Sequence, residues 1–178
     1  MPSNPDVRAQ STPVPDDPPS LNRAWSRWQP WVSTALRIGL AVVALAAGLS
    51  KINDLPGSVR AVRAYEILPE ALVPTVGYAL PMIEIILGVL LVLGLFTRLT
   101  ALAFGGLMIV FIIGIASAWA RGLTIDCGCF GGGGAIDPDQ TRYPLEILRD
   151  LAFVAGSAVL VRWPRSRFAL DQTLGLVR

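Results

Sequence analysis

The chain has 178 residues, 53% hydrophobic and 16% charged, with a mean hydropathy of +0.55 and a net charge of +2. Soluble domains carry roughly 25% charged residues, so this composition excludes an ordinary water-soluble globule and points to a bilayer as solvent. The small charge offers no basic face for nucleic acid, and the absence of histidine removes the commonest metal ligand and the usual base at neutral pH.

In chain order, residues 1–28 read as a disordered Pro-rich tail. Its first twenty residues, rich in Pro, Ser and Asp, bury too little apolar surface to order themselves. No basic stretch followed by an apolar core marks a signal peptide there. Residues 29–163 read as one domain holding four apolar segments: 31–50, 72–96, 99–120 and 143–161. Each is close to the ~20 residues that cross a hydrocarbon core, and in lipid such segments must be helices. The expected fold is therefore all-α, an integral membrane four-helix bundle. The fourth segment carries Glu146, Arg149 and Asp150 in its first third. Residues 164–178 read as a C-terminal tail.

Between the first two segments, Pro56 followed by Val59, Val62 and Tyr65 predicts a short helix lying on the membrane surface. Between the second and third, little more than Thr97 and Arg98 remains, which demands a tight hairpin. Ala44/Gly48, Ala101/Gly105 and Ala152/Gly156 are small pairs four apart, which let helix backbones approach closely. Trp31, Trp119 and Trp163 fall at segment ends, where amphipathic rings favour the interface. Arg37 and Lys51, near the ends of the first segment, are expected to snorkel toward water.

Four spans put the two long connections on one side and the termini on the other. Near the spans, the terminal side holds seven arginines (Arg23, Arg27, Arg98, Arg162, Arg165, Arg167, Arg178). The other side holds five basic residues (Lys51, Arg60, Arg63, Arg121, Arg142). The positive-inside rule then places the termini in the cytoplasm and the connection between the third and fourth segments outside a bacterial inner membrane.

That connection holds "TIDCGCFGGGG", with the only two cysteines, Cys127 and Cys129, and five glycines between 128 and 134. One reading is a redox dithiol. Gly128 gives the freedom to close a small, strained and hence labile ring, suited to exchange more than to a permanent staple. A second is a soft-metal site on two thiolates, incomplete within this chain. A third is packing of two small apolar residues. Asp126 beside the pair opposes thiolate formation, so Arg121, Arg142 or the fourth helix must supply positive charge. Gly131 to Gly134 would let the loop swing or let another backbone approach.

Glu84 lies mid-way along the second segment, three residues after Pro81. A charge there costs roughly 2.5–3.5 kcal/mol on the insertion scale, so it should be paired or functional. Arg149 and Asp150 are the expected neighbours. Glu146, Arg149 and Asp150 share one helical face, expected to point inward beneath the cysteine loop.

"RIGLAVVALAAGLSKINDL" and "LPMIEIILGVLLVLG" resemble the first two helices of DoxX-like membrane proteins. "DCGCFG" followed by "YPLEILRDLAF" resembles the MauE branch, the methylamine-utilisation membrane proteins. The resemblance implies a multi-pass inner-membrane protein acting in extracytoplasmic thiol–disulfide chemistry or protein maturation. It implies a thioredoxin-like or client partner, with membrane quinone as an option for the other redox partner. Cys127 and Cys129 carry over as the redox pair, and Glu84, Arg149 and Asp150 as polar motif positions. Asp126 and Glu146 join them as supporting residues. The rival readings are a non-catalytic docking subunit of a redox enzyme, and a small-solute or metal carrier built around Glu84.

Overall fold

The structure is a computed structural model that describes residues 21–164, 166 and 169–173, with side chains described from Trp28 to Asp171 within that range. The tail Met1–Ser20 lies outside the described residues. Helix α1 spans Leu21–Ile52, α2 Leu55–Ala64, α3 Val73–Leu93, α4 Thr97–Ala120 and α5 Tyr143–Arg162, with a last turn, α6, over Leu170–Thr173. Among the described residues, three segments are long and apolar enough to cross a membrane: Trp28–Ile52, Val73–Leu93 and Thr97–Ala120. Helix α5 has the length, but Glu146, Arg149, Asp150 and Arg162 lower its hydropathy. Helix α1 starts ten residues before the apolar run that announces it, because its first turns are polar but carry no helix breaker until Pro30.

The long helices pack chiefly in two pairs, α1 on α3 and α4 on α5. Small residues set the first contact. A Cβ on Gly48 would lie 2.6 Å from Ile85 Cγ1 and 2.9 Å from the Pro81 carbonyl oxygen, and one on Gly88 would lie 2.7 Å from Leu45 Cγ. In the second pair, a Cβ on Gly105 would meet Ser157 Cβ at 3.1 Å. Ala44 and Ala101 are buried with these contacts, but Ala152 faces outward, so the third small pair is split. The core gathers Leu40, Leu87, Leu91, Phe104, Met108 and Leu160 between the pairs.

Helix α2 forms where Pro56 predicts it. Asp54 caps it, accepting from Gly57 N at 2.9 Å. Its inner face lies tightly on α3: Ser58 Oγ donates to the Gly77 carbonyl at 2.7 Å, and a Cβ on Gly77 would sit 2.7 Å from Val59 Cα.

The α3–α4 turn is Gly94-Leu95-Phe96, with Thr97 and Arg98 already inside α4. Gly94 takes the left-handed conformation (φ 64°) that ends α3. Phe96 also has positive φ, 47°. What holds it there comes from the C-terminal segment: both Asp171 carboxylate oxygens accept 2.7 Å hydrogen bonds, from Phe96 N and Thr97 N. The residues read as a tail thus supply an anionic cap to the first turn of α4, where the helix dipole favours negative charge. Asp171 also places its charge near Arg37, which is 1% exposed and donates to the Val92 carbonyl. Arg37 therefore does not snorkel; an acid and a carbonyl meet it inside.

Candidate functional site

The connection from α4 to α5 is ordered by two tyrosines and a two-strand ladder. Strand β1 (Ile125–Asp126) pairs antiparallel with β2 (Gly134–Ala135), bringing Ile125 opposite Ala135 and Asp126 opposite Gly134. Tyr143 at the start of α5 clamps the near side: its hydroxyl accepts from Ile125 N at 2.9 Å and donates to the Leu123 carbonyl at 2.7 Å. Tyr65 after α2 clamps the tip, donating to the Cys127 carbonyl at 3.0 Å. Arg121 donates to the Tyr65 and Ser117 carbonyls.

The glycines press this tip onto α2 instead of letting it swing. Gly128, Gly131, Gly132, Gly133 and Gly134 all have positive φ, between 66° and 118°. A Cβ on Gly128 would lie 2.7 Å from Ala61 Cβ, and one on Gly133 would lie 2.9 Å from Ala61 Cα. The backbone that comes close is the chain's own. Asp126 fastens the turn, accepting from Gly133 N at 3.2 Å and Gly128 N at 3.4 Å.

The two thiols are free and unlike. Cys127 is half-buried and Cys129 is 7% exposed. Cys129 N donates to Cys127 Sγ at 3.4 Å. The Cys129 thiol also hydrogen-bonds Cys127 and holds it below the usual thiol range. The Cys129 N–H and Arg149 work in the same direction, against burial and the charge of Glu146. Cys129 is pushed up, by that same hydrogen bond, by burial, and by the negative charges of Cys127 and Asp150. The pair is therefore polarised: an accessible sulfur that ionises early and a covered one that stays protonated.

Helix α5 supplies the cation that the sequence requires. Arg149 reaches Cys127, pairs with Asp150 Oδ1 at 3.0 Å, and lies 5.1 Å over the Phe130 ring. Arg149→Ala should move the pH midpoint of Cys127 alkylation upward. At pH 7 the smaller thiolate fraction slows the reaction several-fold, and iodoacetamide rates measured across pH check it. An unchanged profile would remove Arg149 from the account.

Asp126, Cys127 and Glu146 bring one potential ligand atom each within 4.8 Å of one another. The absence of histidine made metal look remote, yet these are the groups that could approach a cation here. Glu84 finds a partner the sequence reading did not assign. Lys51 Nζ lies 2.5 Å from Glu84 Oε1, with both side chains 5% exposed or less. Lys51 therefore does not snorkel. The signal was present: Arg37, Ala44 and Lys51 are seven apart, on the small-residue face of α1 that turns inward. Arg149 and Asp150 are still near Glu84, since all three line one small cavity with Cys129.

The cavities that touch the cysteines measure about 10 and 40 Å³, room for water but not for a quinone ring. A larger groove, about 1030 Å³, lies between α4 and α5 at the opposite end, beside Arg98, Arg162 and Trp163. The described residues around the thiols leave no space that fits a quinone.

The family model described as Methylamine utilisation protein MauE matches residues 29–163. The chain is 39% identical over 106 residues to the methylamine utilization protein MauE of Paracoccus denitrificans, and 38% identical over the same length to that of Methylorubrum extorquens. Each match takes in 59% of this chain and 57% of the relative, so it spans a little over half the length of those proteins. No solved structure matches it. With three apolar helices of membrane-crossing length and a family match over most of its residues, the chain belongs to the MauE family.

Proposed function

We propose that this protein exchanges disulfides with an extracytoplasmic thioredoxin-like or client protein, with Cys127 as the attacking thiol and Cys129 as the resolving thiol. The observation that carries the reading is the contrast within the pair: Cys127 is accessible and lowered, Cys129 is covered and raised. Exchange needs that difference. The Cys127 thiolate attacks one sulfur of a partner disulfide, a mixed disulfide forms, and the other partner sulfur leaves as thiolate. Cys129 then loses its proton and attacks Cys127 Sγ, which closes the pair and releases the partner as a dithiol. Two electrons pass to the partner, and the reverse reaction runs through the same intermediate.

In this reading α5 is a fourth span. Its 20 residues reach about 30 Å at 1.5 Å per residue. Leu145, Leu148 and Leu151 form an exposed apolar outer face, while Asp150 is 1% exposed on the inner side. The termini then lie in the cytoplasm and the cysteine loop outside, as the arginine bias favours. The bundle over 29–163 is the functional domain; methylamine utilisation is what the relatives' names give, and maturation of a disulfide-bearing protein is the role this reading assigns within it.

Cys129→Ser is expected to trap a mixed disulfide through Cys127, seen as an adduct on non-reducing gels of cells grown under oxidising conditions. It should vanish when Cys127 is also replaced. If no adduct forms and the double variant keeps full activity, the exchange reading is wrong. A docking subunit would lose activity only on deletion of the loop, and a carrier would show uptake into vesicles. An impermeant thiol reagent should label Cys127 in intact cells; labelling only after lysis would invert the membrane sides.

A further inference from the structure

The groove of about 1030 Å³ between α4 and α5, at the end away from the cysteines, has no part in the exchange reaction. Its walls follow one helical spacing. Leu102, Gly106 and Ile109 line it from α4, and Val154, Ala158 and Val161 from α5, each set at i, i+4 and i+7. The small residue inside each set makes the depression. A Cβ added to Gly106 would meet no neighbouring element within 4 Å. Ser157 also lines the groove; it is 2% exposed, and its Oγ has no hydrogen-bond partner among the described residues. A buried hydroxyl left alone is costly, so it marks a place for a polar atom from outside the chain.

The mouth of the groove is basic. Arg98, in the first turn of α4, and Arg162, at the end of α5, both line it and are exposed. Neither pairs with an acid among the described residues, and no acid among them lines the groove. Asp171, the acid at the start of α4, is held by Phe96 N and Thr97 N. The Arg162 guanidinium lies 5.4 Å over the Trp163 ring, which lines the mouth as well. The depth matches a leaflet. Arg98 to Ile109 spans about 16 Å of α4 at 1.5 Å per residue, half of a ~30 Å hydrocarbon core. Ser157 lies about 7.5 Å below Arg162 by the same rise.

We propose that this groove binds one anionic phospholipid from the leaflet on the side of the termini, with its phosphate at Arg98 and Arg162 and an acyl chain along Gly106 and Ala158. Guanidinium groups suit a phosphate because their N–H donors pair with its oxygens two at a time. A neutral head group would leave both arginines without a counter-charge. Basic pockets between spanning helices take anionic head groups by this chemistry. The Ser157 hydroxyl, below the arginines, donates to an ester carbonyl of the glycerol region. The apolar walls further in receive the chain. The proposal rests on α5 as a fourth span and is independent of thiol exchange. It gives the α4–α5 pair a lipid that seals its outer side.

The test uses the full chain in detergent, titrated with phosphatidylglycerol or phosphatidylcholine of matched acyl chains and read by native mass spectrometry. One phosphatidylglycerol should bind per chain, about tenfold or more tighter than phosphatidylcholine. Arg98→Gln/Arg162→Gln should bring the two lipids to within about threefold, since each basic residue near the surface favours an anionic lipid several-fold. Gly106→Leu fills the groove and keeps both arginines; it should weaken phosphatidylglycerol about tenfold. Size-exclusion profiles matching the parent show that neither variant acts through unfolding. Equal binding of the two lipids, or an undiminished preference in the arginine variant, overturns the proposal. So does full binding to Gly106→Leu, displacement of the lipid by millimolar inorganic phosphate, or a dimer that forms without lipid and blocks it. The span is checked separately with Leu151→Cys in a Cys127→Ser/Cys129→Ser chain in vesicles, which should resist a water-soluble maleimide. Ready labelling removes α5 from the membrane and the lipid site with it; resistance with no lipid preference sinks the lipid site alone.

Discussion

Lys51→Ala is expected to destabilise the protein by about 3–5 kcal/mol, the range for breaking a buried ion pair by removing one partner. Lys51 comes from α1 and Glu84 from the middle of α3, and the two are 5% and 1% exposed. Truncating the lysine leaves a buried carboxylate between α1 and α3, with one oxygen already unpartnered. It also removes the ammonium from its place 5.4 Å over Phe111. Total stabilities are about 5–15 kcal/mol, so a large share of folded protein should be lost. Lys51→Met/Glu84→Gln removes both charges and should recover most of the loss, because buried pairs replaced together are often near neutral. Thermal unfolding in detergent, read by size-exclusion of the soluble fraction, compares the three proteins. A Lys51→Ala protein as stable as the parent, or a double variant worse than the single, contradicts the pairing.

Gly133→Val should free Cys129. At φ 93° a non-glycine residue is strained by roughly 1–3 kcal/mol, and the new Cβ would also press on Ala61. The cheapest relief is for the hairpin tip to lift off α2. Cys129, now 7% exposed, would then alkylate at a rate approaching that of Cys127, while the helices keep their stability. Pairing Gly133→Ala with Ala61→Gly separates the two causes. The double variant removes the Cβ contact and keeps the backbone strain and the 2.9 Å approach to the residue 61 Cα, so it should restore part of the protection. Unchanged protection of Cys129 in Gly133→Val would mean that the glycines do not set the close approach.

These predictions concern contacts between residues far apart in the chain, which is where sequence reasoning stopped. The small pair Ala44/Gly48 announced a close helix contact on α1, but nothing local said that Lys51, on the same face, would meet Glu84. Asp171 sits in a segment that reads as a tail, yet it caps a helix that begins 74 residues earlier. The four glycines after Phe130 looked like slack because glycine permits many conformations. The approach of Ala61, the pairing of Gly134 with Asp126 and the Gly133 hydrogen bond to the Asp126 side chain select one of them.

Taken alone, the sequence determined what depends on nearby residues. Apolar runs of about 20 residues yield the long helices, Pro56 starts the short one, and the order of segments puts both cysteines in the connection before α5. It also placed Glu146, Arg149 and Asp150 on the helix beneath that connection. Tertiary structure alone decided which cation meets which carboxylate, which thiol is covered and which is open, and why the loop is made of glycine. Spacing along a helix says which face a residue shares. It does not say what the facing helix presents, and charge pairing, burial and thiol ionisation are all settled by that second surface.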